Sequence, residues 1–165
     1  MKLATTLLCG ILAWLTTAWG YAQSDATIPV PQDFTVEAKA AQSRHLPILV
    51  LFMRSDCSYC ERVLQEFLLP MQRNVEYRGK VIMRQIEISS DARLRDFSGA
   101  LTTQAKFAQQ NHIQLVPTIK LFDAQGHELT PPLVGLLTPD FYGGFLDQAI
   151  EEALTKVRQN TQPKR

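Results

Sequence analysis

Cys57 and Cys60, separated by Ser58 and Tyr59, are the residues of this chain best suited to chemistry. They follow the apolar run Ile48-Leu49-Val50-Leu51-Phe52-Met53, and Val63, Leu64, Phe67 and Leu68 behind them recur at helical spacing. Strand, Cys-x-x-Cys, helix is the order in which this spacing reads as a redox couple. A thiol in the first turn of a helix faces unpaired backbone N–H groups and the positive end of the helix dipole, and both lower its pKa. A second thiol one turn further on lies close enough to close a disulfide. One pair of side chains can then attack a substrate disulfide and resolve the mixed intermediate.

Other uses of the pair fit less well. A zinc site needs further ligands, but there is no second Cys-x-x-Cys, and His45, His112 and His127 are scattered without ligand spacing. Attachment of a c-type haem requires histidine where Glu61 stands. A purely structural bridge across so short a loop removes little chain entropy. The competing class is a copper-handling or client-binding module, in which Met53 adds a soft ligand. Within an apolar run, however, Met53 reads more simply as core. The expectation is redox chemistry with no metal and no cofactor.

The third cysteine, Cys9, falls in an N-terminal segment of its own. Met1-Lys2 is a short positive start, residues 3–19 are mostly apolar, and Gly20-Tyr21-Ala22 places small residues at cleavage offsets. Residues 1–22 therefore read as a secretory signal peptide cut between Ala22 and Gln23, with an uncleaved membrane anchor as the alternative. A lipoprotein reading of Cys9 is weak, because Leu8 precedes it where a small residue is needed. Cleavage leaves Cys57 and Cys60 as the only thiols and implies an exported, periplasmic protein. About 140 residues remain, enough for one domain with an ordinary core. The formal charge of +1 and the absence of basic runs interleaved with aromatics give no sign of nucleic-acid binding. Arg84, Arg93 and Arg95 read as residues of solvated faces.

The rest of the chain supplies the positioning elements. Residues 23–32, with little periodicity, read as a lead-in. Asp33 is placed to cap a helix running to Arg44, and residues 48–53 suit a central strand covered on both faces. The helix carrying the cysteines is expected to end or kink at Pro70. Residues 81–88 read as a second strand, and residues 89–100 as a polar, arginine-rich connection. A helix capped by Thr102 or Thr103 reaches Asn111. In residues 113–122, Pro117 suits the first position of a strand, particularly with a cis bond. Residues 123–126 turn the chain into a second strand over 128–134, making a hairpin. Thr138-Pro139-Asp140 starts a last helix to about Val157. The fold class is α/β, a mixed central sheet with helices on both faces and a C-terminal hairpin plus helix. The domain spans residues 33–158, followed by a polar tail, 159–165.

Cys57-Ser58-Tyr59-Cys60 at a strand-to-helix junction, Val116-Pro117-Thr118 downstream, and Gly126 and Gly135 in and after the hairpin resemble the thioredoxin-like superfamily. The resemblance covers roughly residues 33–157. With its signal peptide the chain is similar to exported bacterial thioredoxin-like proteins of the SoxW and disulfide-bond (Dsb) groups. The resemblance implies a cis proline beside the redox pair, with Val116 offering its backbone to a bound substrate strand and Tyr59 modulating access. It implies catalysis by Cys57 and Cys60, substrate contact at Tyr59, Val116 and Pro117, and a monomer acting on disulfides of periplasmic proteins. A membrane electron donor or acceptor would recycle it, with reduction of clients preferred and oxidation as the alternative.

Two departures from that pattern bear on mechanism. Thioredoxins proper have Trp-Cys-Gly-Pro-Cys, where this chain has Asp56 before Cys57 and Ser58-Tyr59 between the cysteines. They also carry a buried acid where this chain has Leu51, leaving Glu61 and Glu87 as candidate proton acceptors for Cys60. Asp56 should oppose thiolate formation at Cys57, whereas Arg54 and the helix terminus favour it.

Overall fold

The computed structural model describes residues 27–160. The expected signal peptide and the last five residues lie outside the described part. The elements are α1 (Phe34–Arg44), β1 (Ile48–Met53), α2 (Ser58–Arg62), a π-helical segment (Val63–Leu68), α3 (Leu69–Arg73), α4 (Val75–Arg78), β2 (Ile82–Glu87), β3 (Arg93–Arg95), β4 (Leu101–Thr103), α5 (Gln104–Gln110), β5 (Thr118–Phe122), β6 (Leu133–Val134) and α6 (Pro139–Asn160).

Four strands form the central sheet in the order β2-β1-β5-β6. β1 pairs parallel with β2 and antiparallel with β5, and β5 pairs antiparallel with β6. The continuous apolar composition of β1 follows from its place, since both its faces are covered. Leu49 and Leu51 join the core beneath the π-helical segment, α3 and α6, whereas Ile48, Val50 and Phe52 join the core beneath α1 and α5. Burying each such side chain contributes about 1.5–3 kcal/mol, so this strand anchors everything attached to it. Asp33 caps α1 as its sequence suggests, its carboxylate accepting from the Thr35 N–H at 2.8 Å.

Several expectations give way to packing. Pro70 does not end its helix, which runs through to Arg73. Proline lacks an N–H, and its ring collides with the carbonyl four residues back in a regular α-helix. Here the Leu69 N–H reaches the carbonyl of Leu64, five residues back, so the helix has already widened where Pro70 enters. The chain then turns extended at Asn74, whose side chain caps α4. Residues 27–32 are more than a lead-in. Ile28 is buried in the core, and the Pro29 carbonyl accepts from the Gln85 N–H along the outer edge of β2.

Residues 89–100 are not a structureless connection, because they hold most of the β3–β4 hairpin. Its signal is short but physical. Arg93 and Arg95 point outward while Leu94 is buried, and Asp96 binds the N–H groups of Ser98 and Ala100 in a turn containing Gly99 at φ +85°. Beyond β5, Pro131 and Pro132 restrict pairing in residues 128–134 to a bridge between Phe122 and Glu128 and the two residues of β6. The last helix continues past Val157 to Asn160.

Candidate active site

β1 delivers the chain to the redox pair at its C-terminal end. Cys57 is the N-cap of α2, with extended backbone (φ −104°, ψ 105°), and its sulfur accepts from the Cys60 N–H at 3.1 Å. This is the environment that stabilises a thiolate in the reduced form, a sulfur aimed at free N–H groups and the positive end of a helix. Cys57 and Cys60 are joined as a disulfide, with Cα atoms 5.2 Å apart. The two sulfurs differ in access: Cys57 is half-buried, whereas Cys60 is fully buried.

Val116 and Pro117 lie directly opposite. Their peptide bond is cis, as expected, and the Val116 carbonyl oxygen is 4.0 Å from the Cys57 sulfur. The loop is braced on both sides of that bond. Thr118 Oγ1 donates to the Leu115 carbonyl at 2.7 Å, and the Gly135 N–H donates to the Pro117 carbonyl at 2.7 Å. Gly135 holds φ +74°, a conformation that favours glycine.

The charges around the pair largely cancel. Arg54 and Asp56 form a two-pronged ion pair with both contacts at 2.8 Å. That contact holds the Asp56 carboxyl below its ordinary range and pushes the Arg54 guanidinium up. The repulsion expected of Asp56 toward a Cys57 thiolate is thereby offset by its own partner. Leu51, the residue expected behind the pair, is fully buried in the apolar core. Neither acid candidate takes the missing carboxylate's place. Glu61 is exposed and accepts from Gln65, and Glu87, at the end of β2, binds the Ser89 N–H and hydroxyl.

Tyr59 is exposed at 59%, and it has company. Leu115, Val134, Leu137, Phe141 and Phe145 are also exposed large apolar side chains. Gly135 ties part of this rim to the redox pair, because a Cβ there would touch both Leu115 and Leu137 at 3.9 Å. Phe67 of the π-helical segment packs on Tyr142, which sets the first turns of α6 beside the cysteine helix. Sequence reasoning missed Leu115, Leu137 and Phe141. The available signal was an excess of apolar residues at the start of α6, where Phe141 and Phe145 repeat one turn apart beside the inward-facing Tyr142 and Leu146. Among the described residues, no group of three or more His, Cys, Asp or Glu side chains is gathered to hold a metal ion.

The thioredoxin-like domain family matches residues 34–150, most of the chain, and the protein belongs to that family. Among solved structures, a thioredoxin h from poplar superposes with a TM-score of 0.53 at 13% identity, covering 74% of this chain and 96% of its own. A thioredoxin from Malassezia sympodialis gives the same TM-score at 15% identity, covering 78% of this chain and 95% of its own. At such identities the likeness is one of fold. No curated protein sequence matches the chain significantly. Family membership and the bonded Cys57–Cys60 pair at a helix head make the chain a thiol–disulfide oxidoreductase.

Proposed function

We infer that this protein is an exported oxidoreductase that reduces disulfides of periplasmic client proteins, with Cys57 as the attacking sulfur and Cys60 as the resolving one. One observation carries the assignment: the accessible sulfur is the one at the helix cap and beside the Val116 carbonyl, while its partner is sealed in the core. The Cys57 thiolate attacks one sulfur of a client disulfide. A Cys57–client bond forms, and the other client sulfur leaves as a thiolate that takes a proton. Cys60 then gives up its proton and attacks the Cys57 sulfur, closing the Cys57–Cys60 disulfide and releasing the second client thiol. The client gains two electrons and two protons, and the enzyme loses them. A membrane electron donor restores the dithiol.

Val116 offers the backbone edge to which an extended client segment pairs, beside Pro117. Tyr59, Leu115 and Leu137 give the flanking client residues an apolar surface. That surface favours polypeptide disulfides with apolar neighbours over small hydrophilic ones. The exported location rests on the signal-like residues 1–22. The deciding experiment is turnover of a protein disulfide combined with the reduction potential of the pair. A potential near the thioredoxin value of about −270 mV supports the reductase, and one near the about −120 mV of strong oxidants reverses the direction.

A further inference from the structure

At the opposite end of the sheet from the cysteines is a cavity of ≈ 290 Å³ that the redox reading does not use. Ile82, in its wall, pairs with Ile48 at the start of β1, while Cys57 follows the end of that strand. Six residues of strand set the two sites about 20 Å apart.

Three arginines border this cavity, each from a different element: Arg44 from the last turn of α1, Arg78 from α4 and Arg84 from β2. No carboxylate lines it. Arg84, expected on a solvated face, is in fact half-buried. It pairs through Nη2 with Glu37 and donates through Nη1 to the Met83 carbonyl at 2.6 Å. Its Nε–H is buried with no partner among the described residues, and so is Oε1 of Gln72, another lining residue. Arg44 spends one donor on the Arg78 carbonyl, and no described side chain pairs with the Arg78 guanidinium.

The three guanidiniums outnumber the carboxylates bonded to lining residues, which are Glu37 on Arg84 and Asp147 on the Tyr77 hydroxyl. The C-terminal ends of α1 and α4 oppose an anion with about half a charge each, so binding must come from the guanidinium hydrogen bonds themselves.

We propose that this cavity binds a phosphate group, held by Arg44, Arg78 and Arg84, with the organic part of a phosphoester resting on Ala40 and Ile82. Guanidinium donors converging from three elements suit a tetrahedral acceptor better than a planar carboxylate. The exposed guanidiniums of Arg78 and Arg44 bond to the phosphate oxygens, and Arg84, already paired with Glu37, adds its charge beside them. The ligand can be a soluble phosphoester or a phospholipid headgroup, since both present the same group.

The test is calorimetric titration of the full chain with inorganic phosphate and with phenyl phosphate at constant ionic strength, alongside sedimentation with phosphatidylglycerol vesicles. Arg78→Glu is the principal variant, because Arg78 is exposed and its replacement leaves the core intact; Arg44→Gln is the second. The expected result is saturable binding, tighter for phenyl phosphate than for phosphate, and weakened at least tenfold by Arg78→Glu with protein-disulfide turnover unchanged. Binding to vesicles alone, lost in Arg78→Glu, assigns the site to a lipid headgroup; binding to the soluble esters alone assigns it to a soluble ligand. Absence of saturable binding to all three probes, or binding that survives both substitutions, overturns the proposal.

Discussion

The two ends of the central sheet expose opposite chemistries. Where β1 ends, the surface gathers a half-buried sulfur, a braced backbone edge and exposed apolar side chains, and Arg54 and Asp56 neutralise each other. Where β1 begins, the surface gathers guanidiniums that outnumber their acidic partners. The difference follows from what each end must meet. A sulfur that exchanges with polypeptide disulfides needs a rim able to hold apolar client residues. An end remote from the chemistry is free to carry net charge. The same strand, buried along all but its last residue, supports both.

The largest expected effect lies at the cysteine end. Cys57→Ser should abolish turnover of a protein disulfide, whereas Cys60→Ser should accumulate covalent client complexes visible on non-reducing gels. If Cys57→Ser accumulates those complexes instead, the accessible and shielded roles are reversed.

Next in size is Leu51→Asp. A carboxylate at this fully buried site has no described partner and must stay protonated or lose its hydration, so unfolding stability should fall by about 3–5 kcal/mol. Turnover near neutral pH should rise, because Cys60 gains a proton acceptor behind it. Chemical denaturation and a pH–rate profile measure the two effects. A stable variant with an unchanged profile would show that position 51 is not behind the pair.

Substituting the rim sharpens the contrast further. Leu137→Ser with Phe141→Ser should lower kcat/KM for apolar polypeptide disulfides by roughly tenfold, the equivalent of about 1.4 kcal/mol of lost apolar contact. Turnover of a small hydrophilic disulfide should not change. Equal losses on both substrates would remove the rim from client binding.

The smallest effect is at Asp33, away from both ends. Hydrogen bonds from the Thr35 hydroxyl and N–H hold its carboxyl below the ordinary range. A pKa depressed by folding adds stability that is present above the unfolded value, about 3.9, and lost as pH falls through the folded one. Asp33→Ala should therefore lower Tm modestly at neutral pH, and the difference from the parent should close in acid. A difference that persists at pH 2 would mean the ionised cap is not its source.

Most of the cysteine end was legible in the sequence because its signals are local. A run of six apolar residues, a Cys-x-x-Cys and a Val-Pro-Thr each mark their own position. What escaped depended on contacts distant in sequence. Pro70 stops an isolated α-helix, but the i−5 bond of Leu69 lets this one continue. Leu94 alternates with two arginines over only three residues, too few for periodicity to register, and Asp96 makes the turn that pairs them. Tyr142 and Phe141 are neighbouring aromatics, and only tertiary packing buries the more polar one and exposes the other. Arg84 read as a surface charge until Glu37, from another element, was placed against it.

The division of labour between the two sulfurs is measured most directly by alkylation of the reduced protein at limiting iodoacetamide, with each cysteine quantified by mass spectrometry across pH. Cys57 should react first and at pH values below the ordinary thiol range, with Cys60 protected until the protein unfolds. Preferential labelling of Cys60, or equal labelling of both in the native state, would contradict the account.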